Sequence, residues 1–551
     1  MNKKAKVFLA IALILCLISS IGTCLVQTSG GRVDMKEIKF MTTFGKEMNA
    51  YLLIPENATP ETPAPAVVVS HGFLNNKEMQ DLNYVELARR GFVVLAINLI
   101  SHGDSEISDN MGELYQGVYQ AVLFIKDLDC VDKAKIGVTG HSFGAANCNM
   151  ACQLDNMNET RLIAAALPNS SDPTYKDDSG EFANIYGSRD VGVIAGQYDE
   201  FGFVTMKEDG TPRPKPEYIH SAEAQSFLNF GTYDPSAPER EANTMYRETI
   251  DGEEAIRVIY NPSIIHPWSH FCKRSTTATI EFFDAALGAP HPIPASNQVW
   301  QWKVCFNVIG LVGFFMFVVN CAILLVQTKP FAELAADEPV QPRKAPGKKG
   351  KTWFFISLIL SAIWGAATYL PILNAMDGMT MAPTIFGQNG VFAISVWAAG
   401  CGLFSLLCMF ISQKIAGDEK IDLREAGALI GGKKLLKTIL LAITVSAASY
   451  AIVFLAHYFF LADFRIWVLA VRPFNSRIFI IAIPFMIILC VFYILNSIAV
   501  NCFNYNEIGG KGNLAILACF NALSVVIVIA LQYIYFRIHG VVLFKIGRAH
   551  V

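Results

Sequence analysis

Residues 135–144 read Lys-Ile-Gly-Val-Thr-Gly-His-Ser-Phe-Gly, and the reading of this stretch decides the fold. The β-branched run Ile136, Val138, Thr139 predicts a strand, and Ala145-Ala146-Asn147-Cys148 after Gly144 permits a helix. Between them Gly140-His141-Ser142-Phe143-Gly144 makes a turn too tight for side chains at either flank. Two glycines are needed there because the serine backbone is strained and neighbouring elements pass close by. The strain lifts the Ser142 hydroxyl clear of a sheet, at a helix N-terminus, where a nucleophile is useful.

The 551 residues exceed one ordinary domain, and with 53% hydrophobic and 17% charged residues they are too apolar to be all soluble. A net charge of −3 gives no reason to expect a nucleic-acid partner. The thirteen cysteines include no CxxC pair and no Cys/His spacing that would bind zinc. Most lie in apolar runs, where cysteine behaves as a small hydrophobe. Cys148 and Cys152 sit one helical turn apart, a spacing poorly suited to a disulfide.

Three lysines in Met1–Lys6 precede about twenty apolar residues, Val7–Val26, long enough to cross a bilayer. Residues 1–30 therefore read as an uncleaved signal anchor, with removal as the alternative, and the lysines place the N-terminus in the cytoplasm. Residues 33–289 read as one exported α/β domain. An opening hairpin (Glu37–Phe40, Met48–Ile54) precedes strands at Ala66–Ser70, Phe92–Asn98, Ile136–Thr139, Leu162–Leu167, Val191–Ala195 and Ile256–Tyr260. Helices fall at Met79–Arg90, Glu113–Asp127, Ala145–Gln153 and Thr276–Ala286. This alternation implies a mainly parallel sheet covered on both faces. The polar stretch 201–253, interrupted by Gly and Pro, reads as an insertion able to cap a site.

From 299 to 545 the chain reads as a multi-pass bundle. Apolar runs fall at Val304–Val326, Trp353–Leu373, Val391–Ile411, Leu440–Phe460, Ile478–Val500 and Leu514–Phe536. The loops Gln327–Lys351 and Gln413–Lys437 are rich in Lys and Arg, which puts both in the cytoplasm and agrees with the N-terminal lysines. The spans are almost free of ionisable side chains, so an anchoring or lipid-facing bundle is expected rather than a proton-coupled transporter. Residues 546–551, Ile-Gly-Arg-Ala-His-Val, read like the translation of a sequencing adaptor, so the natural chain is expected to continue past Lys545.

A serine nucleophile needs a base, an orienter for that base, and donors for the oxyanion. The order expected in this architecture is Ser, acid, His. Asp199 follows the strand Val191–Ala195 and is the expected orienter, with Glu200 as fallback. His266-Pro267-Trp268-Ser269-His270-Phe271 follows the last strand. His270, just before the closing helix, is the expected base, and His266 is its rival. The expected oxyanion donors are the backbone N–H groups of Phe143 and Phe73, with Gly72 letting the backbone approach. His71 and His102 read as structural, His141 as a pocket-shaping neighbour, and Asp104, Asp127 and Asp129 as solvated or capping residues.

These residues resemble the α/β-hydrolase family over roughly residues 36–289. Asn98-Leu99-Ile100-Ser101-His102-Gly103-Asp104-Ser105 is similar to the family's Asp-x-x-Gly-His-Gly-x-Ser turn, departing at Asn98 and Ser101. Within the family the chain looks most like esterases of the dienelactone-hydrolase, platelet-activating-factor-acetylhydrolase and cutinase kind. The resemblance implies an α/β-hydrolase fold followed by an all-α transmembrane bundle, and an acyl-serine intermediate hydrolysed by water. No metal or organic cofactor is expected, and tethering makes membrane-lipid or other small hydrophobic esters the expected substrates. A peptidase or acyltransferase on the same machinery, or a non-catalytic membrane sensor or transport protein with a degenerate pocket, are the alternatives.

Overall fold

In a computed structural model of the protein, the described residues are 2–207, 209–336, 338, 341–344, 347–377, 385–386, 389–416 and 420–543. The expected adaptor residues 546–551 lie outside them. The chain divides into two compact units: the larger is Lys3–Asn320 with Ala447–Pro473, the smaller Met1–Asn2, Cys321–Ser446 and Phe474–Val551.

The larger unit is built on nine strands: β1 (Val33–Met41), β2 (Glu47–Pro55), β3 (Ala64–Ser70), β4 (Val93–Ile97), β5 (Val131–His141), β6 (Ile163–Asn169), β7 (Asp190–Ile194), β8 (Tyr246–Ile250) and β9 (Glu253–Tyr260). They form one sheet in the order β1-β2-β4-β3-β5-β6-β7-β9-β8. The run from β4 through β9 is parallel, and β1, β2 and β8 add antiparallel pairs at its edges. Its helices are α1 (Lys3–Gln27), α2 (Asp81–Arg89), α3 (Met111–Leu114), α4 (Gly117–Ile125), α5 (Phe143–Asp155), α6 (Ala222–Leu228) and α7 (Lys273–Leu287).

Every residue of β3 is buried, as a central strand between two layers requires. Strand alternation splits it between two cores. Ala66 and Val68 pack with Val118 of α4 and Cys148 of α5, while Val67 and Val69 pack with Leu82 of α2 and Phe282 of α7. Cys148 and Cys152 are both buried and free, filling space as small hydrophobes. The polar stretch 201–253 is not all insertion: it holds α6, and its end is β8, an edge strand paired antiparallel to β9. The charged alternation of Tyr246-Arg247-Glu248-Thr249-Ile250 is that of a strand with one face in water.

Among the described residues seven helices are long and apolar enough to cross a membrane: α1, α8 (Trp300–Val326), α9 (Gly347–Asp377), α10 (Asn389–Ile415), α11 (Gly432–Phe460), α12 (Ser476–Ile498) and α13 (Asn513–His539). Within the larger unit α1 lies close against α8. A Cβ on Gly22 would strike the Phe306 ring, one on Gly313 would meet the Ala12 carbonyl at 2.9 Å, and the Thr23 hydroxyl donates to Asn307 Oδ1 at 2.7 Å. Small residues and buried polar pairs are how apolar helices associate without a hydrophobic driving force. In the smaller unit Gly402 of α10 would meet the Phe492 backbone of α12 at 2.9 Å, and Trp397 Nε1 donates to the Gly365 carbonyl of α9 at 2.9 Å.

A short hairpin, β10 (Phe464–Ile466) and β11 (Leu469–Val471), belongs to the larger unit and rests on the sheet domain. Trp467 stacks on Trp268 with ring centroids 4.7 Å apart and planes 14° from parallel. Arg472 bonds Asp104 and approaches Glu78 at 3.5 Å, and His457 pairs with Glu37 at 2.8 Å. Asp104 is thus not a solvated residue but one half of an ion pair with a partner far along the chain. Asp127, by contrast, is exposed and pairs with its neighbour Lys126.

Candidate active site

The turn after β5 has the strain its sequence demands. Ser142 sits at φ 54°, ψ −112°, a conformation reserved for residues the surroundings over-determine. The flanking glycines answer to close approach. A Cβ on Gly140 would overlap Ser70 Oγ and come within 2.6 Å of the Gly144 carbonyl carbon, and one on Gly144 would lie 2.6 Å from the His71 carbonyl oxygen. The first turn of α5 therefore packs closely on the C-terminal ends of β3 and β5. The Ser142 N–H donates to the Asn169 carbonyl at 2.8 Å, which fixes the turn against β6.

Asp199 and Glu200 follow β7 and His266 follows β9, neighbouring strands whose ends converge. His266 Nδ1 lies 2.9 Å from both carboxylate oxygens of Asp199. Asp199 Oδ1 also accepts the N–H groups of Phe201 at 3.0 Å and Gly202 at 2.9 Å. Glu200 serves the same imidazole differently: its carboxylate accepts the His266 backbone N–H at 2.9 Å, anchoring the loop. Since Nδ1 donates to Asp199, Nε2 is left as the basic nitrogen.

The structure brings His266, the rival of the two histidines, to Asp199, and not His270. His270 is buried, and neither ring nitrogen has a hydrogen-bond partner among the described residues. Its ring packs at a tilt against that of His141 instead, with centroids 4.3 Å apart. Both histidines follow β9, but the turn His266–Trp268 aims His266 at Asp199 and carries His270 past it into the core. His141, the residue before Ser142, donates from Nε2 to the His266 carbonyl at 3.1 Å, so the serine turn and the His266 loop are tied directly.

Electrostatics separates His266 from its neighbours. Burial alone would push its pKa down, but the Asp199 charge and hydrogen bond, with Glu200 behind, hold it above the ordinary imidazole value. The reciprocal effect appears at Asp199, where burial pushes upward and the His266 charge and hydrogen bond pull the carboxyl below its ordinary value. Burial drives His71 and His270 down to about 3 and lowers His102 and His141 as well, so these stay neutral. His71 is a structural brace: Nδ1 donates to the Gly72 carbonyl at 2.7 Å and Nε2 accepts the Leu99 N–H at 3.1 Å. Gly72 is required because a Cβ there would come within 2.8 Å of His141 Nδ1.

Phe143 begins α5 and Phe73 lies in the loop after β3, and neither backbone N–H is spent on another acceptor among the described residues. Their rings meet edge-on at 6.3 Å, and Tyr115 and His102 pack on Phe143 at 5.0 and 5.8 Å. Phe73 and Phe201 are 40% and 37% exposed, which leaves an aromatic rim open at this end of the sheet. No group of three or more His, Cys, Asp or Glu arranged to hold a metal occurs among the described residues.

Residues 28–170, which carry the elbow and the β3 loop, match the family described as Esterase FrsA-like. The sheet domain of this chain is an α/β hydrolase by fold. The hydrolase domain is similar to several solved structures. Hypothetical protein PA2218 from Pseudomonas aeruginosa is 15% identical over 46% of this chain and 94% of its own, with a TM-score of 0.33. The Pyrococcus furiosus esterase Pf2001 is 13% identical over 47% and 96%, TM-score 0.31. Est1E from Butyrivibrio proteoclasticus, solved with ferulic acid bound, is 17% identical over 45% and 98%, TM-score 0.30. No curated protein matches the chain.

Proposed function

We propose that this chain is a multi-pass membrane serine hydrolase that cleaves carboxylic esters, with Ser142 as nucleophile, His266 as general base and Asp199 as its orienter. The observation that carries the reading is the Asp199–His266 pair at 2.9 Å, tied through His141 to a serine held at φ 54°. His266 Nε2 takes the Ser142 proton as Oγ bonds the acyl carbon, and the N–H groups of Phe73 and Phe143 hold the oxyanion. Collapse expels the alcohol, which leaves with the proton from His266. A water then gives its proton to the same nitrogen, attacks the acyl-serine, and frees the acid as Oγ regains its hydrogen.

The aromatic rim of Phe73, Phe201 and Phe143 supports an apolar acyl group. The anchor-first topology, with the hydrolase domain on the extracytoplasmic side and both basic loops in the cytoplasm, rests on the lysine and arginine distribution. An ester substrate, as against an amide, is tested by comparing short p-nitrophenyl esters with aminoacyl p-nitroanilides on the purified full chain. Ester turnover that disappears in Ser142→Ala supports the proposal; amide turnover with little ester cleavage would move the chain to the peptidases.

A further inference from the structure

The smaller unit holds a cavity of about 1170 Å³, open to its surroundings and lined entirely by its own residues. Arg343, Lys344, Lys420, Arg424 and Lys434 border it, against two acids, Asp422 and Glu425. None of these five cations forms an ion pair among the described residues. Asp422 spends its Oδ1 on the backbone N–H groups of Arg424 and Glu425, at 2.7 and 3.0 Å, capping its own turn. Lys433 and Lys437, on the same helix as Lys434, are instead paired with Glu333 outside the cavity lining. Orientation in a membrane asks only that such charges lie on one side; it does not ask that the unpaired ones converge on a cavity.

The rest of the lining is amphipathic. Phe354, Leu358, Leu517 and Phe520 supply an apolar wall, and Asn496 and Asn521 from α12 and α13 add amides. The Trp353 side chain also borders the space.

We propose that this cavity binds a phosphate-bearing anion, seated among Arg343, Lys344 and Arg424, with an attached acyl chain along the Phe354–Leu358 wall. Phosphate suits a cluster of guanidinium and ammonium donors, and basic pockets between membrane helices recognise anionic headgroups in this way. The proposal does not depend on the ester reading.

The test titrates the full chain, stripped of lipid in detergent, with dioleoyl phosphatidate, dioleoyl phosphatidylcholine or inorganic phosphate, and reads bound ligand by native mass spectrometry. Phosphatidate is expected to bind at least tenfold more tightly than phosphatidylcholine. Arg343→Gln/Lys344→Gln/Arg424→Gln is expected to weaken it tenfold or more. Lys348→Gln/Lys349→Gln/Lys351→Gln removes as many charges nearby but outside the lining, and is expected to change binding less than twofold. Binding of inorganic phosphate alone assigns the site to the free anion or headgroup; binding of phosphatidate only assigns it to the whole amphiphile, and either supports the proposal. Equal binding of phosphatidate and phosphatidylcholine, or equal loss in the two triple variants, overturns it. If that triple variant fails to fold, the single variants Arg343→Gln and Arg424→Gln decide the matter: each is expected to weaken phosphatidate binding at least threefold, and wild-type binding in both overturns the proposal.

Discussion

Replacing Asp199 by Asn isolates the orienting role with little structural damage. Asp199 Oδ1 accepts two backbone N–H groups, from Phe201 and Gly202, and an asparagine keeps both by placing its carbonyl oxygen there. Its NH2 group must then occupy the Oδ2 position, 2.9 Å from His266 Nδ1. A donor facing Nδ1 forces the imidazole into the opposite tautomer, with the proton on Nε2, where the base must be empty. A base locked in the wrong tautomer costs about 10³–10⁴-fold in kcat, roughly 4–5.5 kcal/mol of transition-state stabilisation. The assay is steady-state hydrolysis of p-nitrophenyl butyrate by the full chain, with the melting temperature as a check on folding. His270→Phe provides the contrast: its nitrogens bond nothing among the described residues, so activity should stay within about tenfold of wild type, as expected for a site that acts only by packing. The reasoning is refuted if Asp199→Asn keeps activity within tenfold, or if His270→Phe is the more damaging change.

Other consequences follow from the same contacts. The raised pKa of His266 puts the acid limb of kcat/KM above the ordinary imidazole value of about 6.5, because the base works only when neutral. Stability runs the other way: the raised imidazole favours the fold below its unfolded pKa and loses that contribution as pH rises through the folded one. The lowered Asp199 contributes above the ordinary carboxyl range and is lost as pH falls through its folded pKa. The melting temperature should therefore peak at lower pH than activity, and a coincident optimum contradicts the pairing. Gly140→Ala should destabilise the hydrolase domain by more than about 3 kcal/mol, read by denaturant unfolding, since the new methyl overlaps Ser70 and Gly144. Trp467→Ala removes the stack on Trp268, about 0.5–1.5 kcal/mol, and should lower kcat with little change in KM by loosening the His266 loop. An unchanged kcat would show that the hairpin only rests on that loop.

Much of the hydrolase domain was legible because its central strands are short apolar runs, such as Val67-Val68-Val69 and Val93-Val94-Leu95, set between helical stretches. The elbow was legible to the residue, since Gly140, Ser142 and Gly144 each answer a local steric demand. The histidine that meets Asp199 was not, because His266 and His270 follow the same strand four positions apart, and a one-turn difference in aim decides between them. β8 was hidden in a polar stretch because an edge strand shows water one face and mixes charge with its β-branched residues. The partnership of Asp104 with Arg472 was hidden for another reason: a pair separated by most of the chain leaves no local pattern. The same holds for Trp467, which sits between two apolar helices yet packs on the His266 loop.

The most direct test of the account is the mass of the covalent adduct after incubation with a fluorophosphonate, mapped by peptide sequencing in wild type, Ser142→Ala, His266→Ala and His270→Phe. The account predicts one modification, on Ser142, absent in Ser142→Ala, slowed by about 10³-fold or more in His266→Ala and nearly unaffected in His270→Phe. A label on any other residue, or equal labelling rates in wild type and His266→Ala, would contradict it.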